Sequence, residues 1–264
     1  MTEDSERHSP RRANRLRDTE NAVEERVERA TERAVERAGD VFDRALPHVP
    51  ESVRPHLRGW LHLGAVPLAL VLGALALALA PAGAVRWSVA VYVATTVLLF
   101  GVSATYHRRQ WGPRTAGVLK RIDHANIYLF IAGSYTPFAV ALLSGTTQKA
   151  LLWIVWTVAV LGVVFRVVWV GAPRWLYVST YIALGWVAVA FLPALWTSGG
   201  VLIVLLIAAG GVLYTFGAVV YALKRPDPSP TWFGFHEVFH AFTIAAYLVQ
   251  YVAVLLAVEQ APGQ

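Results

Sequence analysis

The stretch FHEVFHAFTIAAYLVQYVAVLLAV, residues 235–258, decides how this chain is read. It is apolar and long enough to cross a hydrocarbon core about 30 Å thick, which takes about 20 helical residues. It opens on H-E-V-F-H, His236 to His240. On a helix, histidines four apart project from one face, about one turn from each other. That spacing suits two imidazole ligands on one zinc ion. It equally suits one histidine at a membrane interface and one packed in a core, so the rest of the chain must decide.

Composition sets the class. The chain has 264 residues, 56% of them hydrophobic, with ten tryptophans, more apolar than a soluble domain. An all-α integral membrane protein of several spans is expected. Cysteine is absent, which excludes disulfides and thiolate metal ligands and leaves His, Asp, Glu or water for any metal. The formal charge of +6 suggests a nucleic-acid partner, but its distribution argues against one. Residues 1–58 hold 12 Arg against 13 acidic residues, whereas the remainder holds 11 Lys and Arg against four acidic residues, placed in short loops between apolar runs. That placement is the mark of membrane orientation.

Two parts follow from the pattern: a polar cytosolic tail, residues 1–58, and a seven-helix membrane domain, residues 59–260. In the tail, residues 1–18 show no apolar period and read as disordered. Residues 20–46 read as a charged helix, with Glu24, Glu28, Glu32 and Glu36 in one row and Arg29, Arg33 and Arg37 in the next. Its Val and Ala stripe fits a solvated helix, with a lipid-surface or partner helix as the alternative. Pro47, Pro50 and Pro55 end it. The hydrophilic tail is too long for the first region of a signal peptide, so none is expected.

Seven apolar runs come next, at 60–80, 87–106, 122–143, 150–170, 175–196, 201–223 and 235–258, separated by Gly- and Pro-containing turns. Trp60, Trp87, Trp153, Trp169, Trp175, Trp196 and Trp232 fall at their ends, as an aromatic belt would. The connections after the second, fourth and sixth runs hold eight basic residues: Arg108, Arg109, Arg114, Lys120, Arg121, Arg174, Lys224 and Arg225. Those after the first, third and fifth hold only Arg86 and Lys149. The N-terminus is therefore expected in the cytosol and the C-terminus outside. Arg166, inside the fourth run near its cytosolic end, is expected to snorkel to the interface.

This orientation puts Ser103 and His107, Asp123 and His124, and His236 and His240 near the cytosolic ends of the second, third and seventh runs. His107, Asp123, His236 and His240 then share one depth. A carboxylate inside a membrane helix is costly and is usually paired or functional. Three imidazoles and a carboxylate at one level fit a zinc site with an open or water-filled position. The alternative is ordinary interfacial residues, with Asp123 paired to Lys120 or Arg121. His124 points elsewhere on its helix and reads as structural. H-E-V-F-H also matches the metalloprotease pattern in which Glu237 would be the base, but the residues that follow it are apolar. Ser103 with His107 could form a nucleophile and base, but no glycine-rich nucleophile turn surrounds them.

Three motifs together resemble the haemolysin III family, bacterial relatives of the progestin and adiponectin receptors. They are S-A-T-Y-H (Ser103 to His107), D-H-A-N-I-Y-L-F-I-A-G-S-Y-T-P-F (Asp123 to Phe138) and H-E-V-F-H. The resemblance covers about residues 56–258, excludes the tail and lacks no motif position. It implies a seven-helix bundle with the N-terminus inside and a zinc ion near the cytosolic face. His107, His236 and His240 would be direct ligands, Asp123 would bind through water, and Ser103 would lie close by. It further implies one of three functions. The first is a ceramidase-like lipid amide hydrolase in which Asp123 and Ser103 serve the reaction; the second is a non-enzymatic signalling or membrane-homeostasis protein with a structural zinc; the third is a pore-forming haemolysin. A membrane lipid is the expected substrate or ligand, and a bacterial inner or plasma membrane the expected location. Oligomeric state is not specified. A reporter fused at Gln264 is expected to be active only on the outer side, and one placed between Arg108 and Arg121 only on the inner side; the reverse pattern would overturn the orientation and the shared depth.

Overall fold

The computed structural model describes residues 55–261 together with Arg26, Arg29 and Ala30. Two units divide the chain, Met1–Glu51 and Ser52–Gln264. In the first, Arg26, Arg29 and Ala30 are helical and exposed; the rest of the helix read over 20–46 lies outside the described residues.

Among the described residues of the second unit every extended element is a helix, and the single β-bridge joins Ser229 to Phe233. Its elements are α1 (Trp60–Leu79), α2 (Ala84–Arg108), α3 (Pro113–Leu142), α4 (Gly145–Val168), α5 (Arg174–Gly185), a 3₁₀ turn (Val187–Phe191), α6 (Leu192–Leu223) and α7 (Phe235–Glu259). Long apolar segments adopt helix because a helix satisfies every backbone donor and acceptor within itself, which lipid cannot do. Among the described residues, six helical segments are long and apolar enough to cross a membrane. One of them, Arg174–Leu223, is 50 residues long. It is not one rod, because Gly200 has φ 75° and ψ 174°, outside helical geometry. Arg174 Nη1 donates to Tyr221 O (3.4 Å), and Trp186 Nε1 donates to Thr215 Oγ1 (3.0 Å). A straight helix would separate Arg174 from Tyr221 by about 70 Å. The segment therefore doubles back at Gly200, where a positive φ suits glycine alone. The 3₁₀ turn before it is held by Tyr135, whose hydroxyl donates to Gly185 O (2.6 Å) and accepts from Ala188 N–H (2.9 Å).

α3 is the central helix. It buries 78% of its apolar stretch, against 28% for α1 and α4. Close packing around it uses small residues, as membrane bundles do. Gly133 backs onto Thr95 and Gly162 onto the Tyr128 ring, while Gly73 meets Val93 and Gly217 meets Phe242. All seven tryptophans assigned to the aromatic belt are exposed on the bundle surface. Arg166 departs from the sequence reading. It does not snorkel: it is 1% exposed, with its guanidinium 4.3 Å over the Tyr177 ring and Nη1 donating to Trp169 O at 3.2 Å. The face of α4 that carries it points inward, so the interface is out of reach.

Replacing Gly162 by Leu should force the Tyr128 ring out of its packed position and lower the thermal midpoint in detergent, at a cost of about 1–3 kcal/mol. Gly101→Leu, with no neighbour within 4 Å of an added Cβ, should change it little. Equal midpoints for the two variants would mean that α3 and α4 do not meet as described.

Candidate functional site

α7 begins where the chain needs an anchor. Phe235 N–H donates to Asp227 Oδ1 (2.8 Å), and Gly234 N–H donates to Glu237 Oε2 (2.9 Å), so two side chains take up helix-end donors. The first turns of α7 then present His236 and His240 inward. α2 brings His107 to the same place near its C-terminal end. All three are buried, His240 almost completely. His107 Nε2 and His236 Nε2 are 3.2 Å apart. One ring nitrogen from each of the three histidines lies within 4.8 Å of the others.

The His107–His236 separation is that of two ligands on one metal ion, and the set of three could hold one. At a zinc–nitrogen distance of about 2.0–2.1 Å, two ligands of a tetrahedron lie about 3.3 Å apart. The donor set is three imidazoles, and His240 Nδ1 is buried with no hydrogen-bond partner. Asp123 of α3 stands beside this cluster, Oδ2 3.6 Å from His107 Nε2, which is longer than a hydrogen bond. Ser103, one turn before His107 on α2, is buried and shares a cavity wall with Asp123, His236 and His240. His124 turns away: its Nδ1 lies 2.7 Å from Lys120 O and its ring meets Tyr177 edge-on.

Two features escaped the sequence reading. His62 of α1 is buried and stacks face to face on His240, with ring centroids 3.6 Å apart and planes 12° apart. Neither of its ring nitrogens has a partner. Nothing in the run around it distinguishes it from an interfacial histidine. Arg58 is the second: its Nε donates to Glu237 Oε1 at 2.6 Å, and Glu237 is 0% exposed. Both Glu237 oxygens are thereby engaged at the start of α7, one by a helix-end N–H and one by a guanidinium, so the carboxylate serves an anchoring contact. Gly59, in left-handed conformation (φ 78°), lets the start of α1 approach His107; a Cβ there would lie 2.9 Å from His107 Cβ.

A cavity leads away from the cluster between α3, α5, α6 and α7. It passes Ile127, Phe130, Ile131 and Ile182, and reaches Trp186 and Thr215, where it meets the exposed indole of Trp186.

Fold and cluster together define a helical membrane protein with a histidine group, able to hold a metal, inside its bundle. The chain matches the family described as haemolysin-III related over residues 51–251. It is 31% identical over 169 residues to the hemolysin-3 homolog of Bacillus subtilis (strain 168), covering 63% of this chain and 76% of that protein. It is also 31% identical over 170 residues to hemolysin-3 of Bacillus cereus, covering 62% of this chain and 72% of that protein. The chain belongs to the haemolysin III family.

Breaking the Arg58–Glu237 pair should be asymmetric. Arg58→Met strands a carboxylate with no route to water and should cost about 3–5 kcal/mol. Glu237→Leu frees an arginine whose side chain is already 21% exposed, and should cost less. Thermal melting of both variants checks this, and an Arg58→Met variant as stable as the parent would show that the pair does not form.

Proposed function

We propose that this chain is a zinc-dependent lipid amide hydrolase of the bacterial plasma membrane. It would cross the membrane seven times, with its N-terminus in the cytosol and its C-terminus outside. The reversal at Gly200 supports the seventh crossing, and the eight-to-two imbalance of loop charges supports the orientation. The observation that carries the activity is the cavity. A mostly apolar cavity, lined by residues of α1, α2, α3, α5, α6 and α7, includes Ser103, Asp123, His236 and His240 in its wall. A zinc used only as a cross-link would have its four positions filled by protein ligands, whereas three imidazoles leave one open to this cavity.

His107, His236 and His240 would hold the metal. Zinc bound there would supply a water of pKa lowered towards about 7 and a Lewis acid for a carbonyl oxygen. Asp123, with Oδ2 3.6 Å from His107 Nε2, would be the carboxylate that accepts a proton from the attacking water and passes it to the departing amine nitrogen. Ser103 can donate its hydroxyl proton in a hydrogen bond to the carbonyl oxygen as negative charge develops on it. The apolar walls would hold the acyl chain and keep bulk water out. Trp186 and Thr215 mark the side from which a chain would enter from lipid. The products are a fatty acid and a free amine.

A second reading has one observation in its favour. The three imidazoles come from only α2 and α7, so zinc would cross-link those two helices in a non-enzymatic signalling or homeostasis protein. Lytic activity, which the names of the relatives denote, is the third outcome; the apolar walls favour an acyl chain over a path for ions.

Three quantities separate these readings: zinc per protein, thermal midpoint, and fatty acid released from a panel of lipid amides by parent, Asp123→Ala and His240→Ala proteins in detergent. Asp123→Ala should keep zinc and a near-parent midpoint and lose hydrolysis by about 10²–10⁴-fold. His240→Ala should lose zinc and stability together, since metal binding is coupled to folding. A zinc-loaded parent that releases no fatty acid from any amide would leave only the cross-link, and a parent free of zinc after metal-replete growth would remove the site.

A further inference from the structure

α1 supplies none of the three clustered imidazoles, yet it places one side chain against them. It runs beside α7 in the same direction. Arg58, just before it, pairs with Glu237, His62 stacks on His240, and Leu72 O accepts from the Tyr251 hydroxyl. The inward face of α1 is otherwise made of small residues, Ala65, Ala69, Gly73 and Ala76, which let neighbouring helices close in on it. His62 is the only large side chain buried on that helix.

The contact is closed in by further rings. The His62 and His240 centroids are 3.6 Å apart and their planes 12° apart. Phe100 of α2 meets His62 at 5.0 Å and 62°, and Tyr247 of α7 meets Phe100 at 5.4 Å and 80°. The series starts on α7 at His240 and returns to α7 at Tyr247, and all four rings are buried. A ring in van der Waals contact across its face cannot turn about its Cβ–Cγ bond without driving an edge into its neighbour.

A histidine that binds a metal is ordinarily oriented by a hydrogen bond to its other ring nitrogen. Outside the cluster, His124 has its ring held in that manner by Lys120 O. His240 departs from the pattern, because its Nδ1 is buried with no hydrogen-bond partner. Neither ring nitrogen of His62 has a partner either, so His62 meets His240 through the ring face and not through a hydrogen bond.

We propose that His62 is a positioning residue for the histidine cluster. Its flat ring, stacked on His240, fixes the plane of that imidazole and hence the direction of its donor nitrogen. The inference rests on reading the cluster as a metal site and is independent of the hydrolase reading. Its consequence is that the cluster needs an aromatic ring on this turn of α1, whether or not that ring carries nitrogen.

The test uses the full-length protein in detergent and reads metal binding rather than turnover. Zinc affinity is measured by competition with a chromophoric chelator, and ligand geometry by the visible absorption of the cobalt(II)-loaded protein. His62→Phe keeps a stacking ring and should hold zinc within about threefold of the parent, with the parent's cobalt spectrum. His62→Leu and His62→Met fill the space without a ring. Each should lose about 10–100-fold in zinc affinity and alter the cobalt spectrum, while the metal-free protein melts close to the parent. Two ring-free variants guard against one failing to fold. Parent affinity in both of them, or an equal loss in His62→Phe, would overturn the proposal. So would a lowered metal-free midpoint with an unchanged cobalt spectrum, which would make His62 a packing residue. A parent that binds neither zinc nor cobalt would remove the metal site and this inference with it. A parent that binds zinc, with variants that bind it equally, would remove this inference alone.

Discussion

With no water inside an apolar bundle, each polar atom must find its partner in the protein or in what the protein holds. Most of this chain obeys that constraint locally. Thr95, Thr96, Thr136 and Thr243 donate their hydroxyl protons to carbonyls three or four residues back on their own helices. Tyr135 bridges the break between α5 and the 3₁₀ turn. Among the described residues the buried side-chain atoms left unpaired belong to His62, Tyr92, Arg166, Tyr214 and His240. Arg166 is compensated by the Tyr177 face and Trp169 O. Of the others, His62, Tyr214 and His240 line one cavity and Tyr92 packs behind it. The residues that carry these atoms therefore gather around the cavity and are not scattered through the bundle.

How much of this was legible in the sequence depends on the range of the interaction. Runs of apolar residues report on lipid directly, so the helical segments could be read one by one. Topology is a one-dimensional property, so the shared depth of His107, Asp123, His236 and His240 followed from loop charges. Which way a helix faces is not one-dimensional. His62 sits in an apolar run like any interfacial histidine, and only the packing of α1 against α7 shows that it stacks on His240. Arg166 was read as snorkelling from its depth, but the rotation of α4 turns it into the bundle.

H-E-V-F-H shows the same limit from the other direction. As a string it fits a soluble metalloprotease as well as a membrane metal site. Context assigns Glu237 a structural role. Its carboxylate accepts from Gly234 N–H and pairs with Arg58, just before α1. The same pre-helical segment is fastened to the α6–α7 loop: His56 N–H and Leu57 N–H donate to Thr231 O and Trp232 O, and the His56 ring stacks on Trp232. The first turn of α7 is thus fixed at its N-terminus by contacts that involve neither His236 nor His240. A metal site tolerates ligand displacements of only about 0.2 Å, and an unanchored helix end frays over its first turn. The glutamate between the two histidines therefore serves the site by holding still the turn that carries them, and neither imidazole is used for that anchorage.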